Sequence, residues 1–91
     1  MKKYNVVPML VDARGATVPS GCNDITFINF GDKLNPPAGD NLIVDDVVTI
    51  KPGQQYRITG NDGEMNVTVH RCRWEGVTGI RYGVVARKTY V

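Results

Sequence analysis

The chain is poor in the residues that do chemistry. It has one histidine, two cysteines and one tryptophan in 91 residues. A lone histidine makes no catalytic triad unless a nucleophile is held beside it. Cys22, His70 and Cys72 lack the clustered spacing that zinc sites show. Long apolar runs are missing as well, and nothing approaches the ~20 residues a membrane-spanning helix needs. Met1-Lys2-Lys3-Tyr4 carries charge, but the apolar stretch from Val6 to Val11 is short and broken by Pro8, which argues against a secretory leader. Both thiols are therefore expected free, in a protein made in a reducing cytoplasm. Helical periodicity is absent, so no glycine-rich phosphate cradle can open a helix. These gaps lead us to expect neither enzymatic activity nor a cofactor, metal or membrane partner.

What remains is a globular composition, 42% hydrophobic and 22% charged. At this length there is room for one domain, residues 1–91, with one core of limited size. The net charge of +2 is unevenly spread. Residues 65–91 hold five arginines and lysines against Glu75 alone, whereas acidic side chains outnumber basic ones before that point.

β-branched residues and regular glycine and proline punctuation predict an all-β chain. Seven candidate strands follow: Lys3–Val11, Ala16–Pro19, Asp24–Phe30, Asn41–Ile50, Gln55–Thr59, Glu64–Trp74 and Ile80–Val91. Pro8 confines the first to a sheet edge or a bulge. In the third, the apolar phase shifts at Phe27 and Ile28, which implies two buried faces or a bulge. Gly31–Gly39, with Asn35-Pro36-Pro37, reads as a loop. Asp45-Asp46 marks a break in the fourth strand, where Leu42, Val44, Val48 and Ile50 share one face. Lys51-Pro52-Gly53 has the chemistry of a type II turn. Gly60-Asn61-Asp62-Gly63 is expected to close a hairpin into Glu64–Trp74. Ile80, Tyr82, Val84 and Ala86 share one side of the last strand. The expected architecture is a single antiparallel β-sandwich, jelly-roll-like, of six to eight strands, with a barrel as the alternative.

Several motifs have simple structural readings. Asn61-Asp62-Gly63-Glu64 is turn chemistry with too few oxygens for calcium. Asn66-Val67-Thr68 matches a glycosylation acceptor but reads as outward-facing strand. His70 and Cys72 share a strand face, with no third group to orient them. Arg71, Arg73, Trp74, Arg81, Arg87 and Tyr90 stand out as a candidate interface, because arginine, tryptophan and tyrosine most often carry binding energy. The same group fits a core tryptophan with solvated arginines, or a face for single-stranded nucleic acid. Trp74, Tyr56 and Tyr82 are also candidates for stacking on sugar rings.

Three segments add a family resemblance. They are Asp24-Ile25-Thr26-Phe27-Ile28-Asn29-Phe30-Gly31, Lys51-Pro52-Gly53-Gln54-Gln55-Tyr56-Arg57-Ile58-Thr59-Gly60-Asn61, and Glu64-Met65-Asn66-Val67-Thr68. Together they resemble small β-sandwich virion proteins of bacteriophages, over about half of the chain. The acidic tail usual in that family is replaced here by a basic last strand. The resemblance implies a decoration, vertex or spike-base subunit that binds major capsid or other virion proteins. It also implies a homo-oligomer, trimeric or pentameric, located in the virion after synthesis in the host cytoplasm.

Overall fold

Alternating apolar and polar residues, cut by turn chemistry, give strands that each bury one face. The computed structural model describes residues 3–19, 21–32, 38–60 and 64–90. It contains β1 (Tyr4–Val11), β2 (Ala16–Val18), β3 (Asp24–Asn29), β4 (Asn41–Val44), β5 (Val48–Ile50), β6 (Gln55–Ile58), β7 (His70–Glu75) and β8 (Gly83–Tyr90). Among the described residues no helix is long and apolar enough to cross a membrane.

The strands form two four-stranded sheets, β1-β8-β3-β6 and β2-β7-β4-β5. Every pairing is antiparallel. The second half of the chain retraces the first: β8 pairs with β1, β7 with β2, β6 with β3 and β5 with β4. Rolling that long double ribbon adds the β3–β8 and β4–β7 contacts. This is the strand order of a jelly roll. The sheets are not joined into a closed barrel.

The space between the sheets is filled by Val11, Val18, Ile25, Phe27, Leu42, Val44, Ile50, Trp74 and Val85, with Cys22 and Cys72 among them. Phe27 is fully buried, which is worth roughly 1.5–3 kcal/mol for its side chain. Leu42, Val44, Val48 and Ile50 all face this core, as their spacing predicts. On β8 the inward set is Gly83 and Val85, leaving Val84 and Ala86 on the other side of the strand.

Pro8 sits on β1, at the edge of its sheet as expected. Asp45 and Asp46 both have positive φ, 54° and 58°, and Val47 N–H donates to Val44 at 3.1 Å. Positive φ at both central positions is the sign pattern of a type I′ hairpin turn. Pro52-Gly53 forms the expected type II turn, with Gly53 at φ 86° and Gln54 N–H donating to the Lys51 carbonyl at 3.0 Å.

Two expectations change. β3 has neither a bulge nor a phase shift: Ile25, Phe27 and Asn29 point inward in unbroken register with β8. The apparent shift arises because the third inward position is a polar residue. The segment Glu64–Trp74 is not one strand hairpinned to β6. Only His70–Glu75 is strand, and it lies in the opposite sheet from β6, so the chain crosses between sheets here. The turn at Asn61-Asp62-Gly63 lies outside the described residues, as does Asn35-Pro36-Pro37.

Candidate interface

The arginine and aromatic group is dispersed by the fold. Arg71 and Arg73 occupy the exposed face of β7, whereas Trp74, one residue on, turns into the core and is 8% exposed. Its indole N–H donates to the Asp12 carbonyl at 2.7 Å. Arg73 is half-exposed and pairs with Asp46 at 2.6 Å and Glu75 at 3.2 Å. Such surface pairs contribute about 0–1 kcal/mol. Arg81 precedes β8 and binds the Asp40 carboxylate and the Ala13 carbonyl, both at 2.8 Å. Arg87 and Tyr90 belong to β8, in the other sheet, where Tyr90 meets Tyr4 edge-on at 6.3 Å between ring centroids. The aromatic trio is separated too. Tyr56 stacks on Phe27, Tyr82 packs edge-on against Phe30, and Trp74 is inside.

His70 is buried with both ring nitrogens occupied. Asn66 Nδ2 lies 3.2 Å from Nε2, and Nδ1 lies 2.7 Å from the Asp45 carboxylate. An amide donor on Nε2 leaves the proton on Nδ1, which donates to Asp45. The ring also packs edge-on against Phe27. Asp45 is thus the orienting group the sequence did not reveal, brought in by a turn 25 residues away. Burial alone raises its carboxyl pKa. The bonds from His70 and the Arg71 amide outweigh that and hold the carboxyl below its ordinary value. Cys72 is no thiolate: burial, and then the Asp45 charge, push its thiol up to about 11. Cys22 and Cys72 are both free and buried. Among the described residues no group of histidine, cysteine and carboxylate side chains is placed to hold a metal ion.

A second polar hub fixes one end of the sandwich. Asp40 is buried, and its carboxylate accepts from the Thr78 amide, the Thr78 hydroxyl and Arg81. Those bonds, the one from Arg81 foremost, hold its pKa at about 2 despite burial.

One exposed apolar patch lies on the outer face of the sheet β1-β8-β3-β6, while Val47, Met65, Val67, Val69 and Val77 are exposed elsewhere. Register places Leu10, Val84 and Ile28 in one row across that face, then Pro8, Ala86 and Thr26, then Val6, Lys88 and Asp24. A shallow depression opens there, lined by Val6, Thr26, Arg57, Ala86 and Lys88 around Asp24. Asp24 is held below its ordinary pKa by the Gly60 amide, against burial, with help from Arg57. Tyr4, Val6, Val7 and Leu10 of β1 are each more than half exposed. The absence of charge between Tyr4 and Val11 was the sequence signal for this surface.

Comparison of the chain with protein-family models, curated proteins and solved structures found no match.

Proposed function

We propose that this protein is a non-enzymatic structural component of a bacteriophage virion, a decoration, vertex or spike-base subunit that acts through protein–protein interfaces. The observation that carries the reading is the jelly-roll strand order, β1-β8-β3-β6 against β2-β7-β4-β5. Jelly rolls build many viral capsid domains, and also lectins and cupins, so the fold supports the reading by analogy. The segments resembling phage virion proteins coincide with β3, the β5–β6 turn and the crossing from β6 to β7. The uncharged first strand and the apolar outer face beside it are surface of the kind that subunits bury on assembly. Its partners are major capsid or other virion proteins and further copies of itself.

The test is physical association with particles. Phage purified through a density gradient, from a host carrying the prophage or infected with the phage that encodes the chain, is probed with antibody to it. A fixed copy number per particle supports the role, and its absence from intact particles sinks it.

A ligand-binding module is the second reading, favoured by the depression around Asp24. Thr26, Arg57 and Lys88 there offer polar groups for a sugar or an anion. Binding on a glycan array, lost in K88A, marks that alternative.

A further inference from the structure

We propose that β1 is a strand-addition site whose occupant is the β1 strand of a second copy of this chain. The two would pair antiparallel about a twofold axis and join two four-stranded sheets into one of eight strands.

A sheet edge presents unpaired backbone groups to any other strand, and monomeric proteins blunt such edges with charge, shortness or cover. The sandwich has four edges, and they differ sharply. β2 and β5 have three residues each, and β6 has four with Arg57 among them. β1 has eight residues, Tyr-Asn-Val-Val-Pro-Met-Leu-Val, without a charge. Among the described residues no strand pairs with β1 on the side away from β8. Its residues 4–8 and Leu10 are exposed.

Proline fixes which backbone groups face outward. Pro8 stands opposite Ala86 and has no N–H, so this pair is of the non-hydrogen-bonded kind. Alternation then turns the backbone groups of Tyr4, Val6, Pro8 and Leu10 away from β8. A partner strand meets three N–H donors, from Tyr4, Val6 and Leu10, and a gap at Pro8.

The strand is complementary to itself in one register. With Val7 on the axis, Tyr4 pairs with Leu10 of the second copy and Val6 with Pro8. Each Val6 N–H then donates to a proline carbonyl, which asks for no donor in return, and about six backbone bonds form. Centring on Pro8 instead sets two proline carbonyls against each other and makes about four bonds. The favoured register also places two half-exposed Val7 side chains side by side. A strand without charges meets its own copy with no like-charge cost. Equal lengths match along the whole edge, whereas pairing β1 onto β6 of another copy, as a ring requires, leaves half of β1 open. The geometry thus favours twofold pairing over the trimer or pentamer that the family resemblance implies.

The experiment combines mass and cross-linking on the full chain. Light scattering behind a sizing column, over a concentration series, is expected to show a monomer–dimer equilibrium. Val7→Glu sets like charges face to face on the axis, on a side chain that is already half exposed, and places the opposite charge across from Arg87 of its own chain. It should weaken the dimer at least roughly tenfold while circular dichroism keeps the wild-type β spectrum. Val7→Cys should give a disulfide-linked dimer on mild oxidation. Directly opposite non-hydrogen-bonded residues lie about 4.5 Å apart between Cα atoms, within disulfide reach of about 7 Å. Val6→Cys, two positions out of register with its own copy, should not cross-link. A monomer at all concentrations, a trimer or pentamer, or equal cross-linking of both cysteine variants would overturn the proposal. The virion reading fails separately: a β1-paired dimer absent from particles leaves this inference standing, and a particle-bound pentamer does the reverse.

Discussion

The Asn29 side-chain amide donates to the Asp40 main-chain carbonyl at 2.9 Å inside the sandwich. The same amide reaches the Ile50 carbonyl at 2.8 Å, and its oxygen accepts from the Gly31 amide at 3.2 Å. The Asp40 carboxylate holds Thr78 and Arg81 on the other side. These two side chains therefore tie β3, the start of β4, the end of β5 and the β7–β8 connection into one hydrogen-bonded end. Buried polar groups of this kind are costly when half satisfied.

Replacing Asn29 with alanine strands two buried carbonyls and one amide. Each such group costs about 1–3 kcal/mol, and partial relaxation and water entry should leave a net loss of about 3 kcal/mol. Urea unfolding of N29A measures this directly. A loss under about 1 kcal/mol would mean that the loops are held by their own backbone bonds.

Acid should weaken the same end of the molecule. Asp40 is held at about 2, below its ordinary value of 3.8. A depressed carboxyl adds stability that is complete above its unfolded pKa. That stability disappears as pH falls from about 4 toward about 2. The melting temperature of the wild type should drop steeply across that window, and D40N should start lower and fall less. Asp24 and Asp45 are also lowered and stay in the variant, so some slope will remain. Parallel curves for the two proteins would remove Asp40 from the explanation.

Gly83 leaves little room for a side chain. A Cβ there would lie 3.2 Å from the Ile28 carbonyl oxygen and 3.2 Å from Cη2 of Trp74. G83A should therefore cost about 1–3 kcal/mol through overpacking. It should also move the Trp74 fluorescence, which burial of the residue, 8% exposed, is expected to shift to the blue and shield from iodide in the native protein. An alanine variant with native stability and an unchanged emission spectrum would show that the ring shifts freely.

Cysteine reactivity reports the core in a different way. Cys22 and Cys72 are buried, and the Cys72 thiol is pushed up to about 11. Neither should react with a thiol-specific disulfide reagent at neutral pH until the protein unfolds, when both should react together. Rapid modification of one thiol in the native state would reveal local opening of β2–β3 or β7.

Much of the fold was legible because turn chemistry is local. Pro52-Gly53, the Asp45-Asp46 break and the edge position implied by Pro8 each depend on residues adjacent in sequence. The burial of Leu42, Val44, Val48 and Ile50 follows from strand alternation alone. Asn29 misled because hydrophobic phase cannot anticipate a buried amide whose partners are Asp40, just before β4, and Ile50 of β5. The crossing after β6 misled because alternation says which face a residue takes and not which sheet its strand joins. The interface group failed to assemble for the same reason: Arg73 and Trp74 are neighbours with opposite faces, and Arg87 and Tyr90 belong to another sheet. Asp45 beside His70 left no sequence signal, since the pair is made by a hairpin turn folding onto a distant strand.

The retraced pairing of the chain also sets an order of events during synthesis. β4 and β5 are separated by one turn and can pair as soon as both emerge, whereas among the described residues β1 has no sheet partner until β8 has been made. At roughly 5–20 residues per second, that leaves the first strand single for on the order of ten seconds on the ribosome. A charge-free strand exposed for so long is open to capture by another nascent copy on the same message. Translation speed, and any chaperone that shields the leading segment, should therefore govern how much of this protein reaches its folded form.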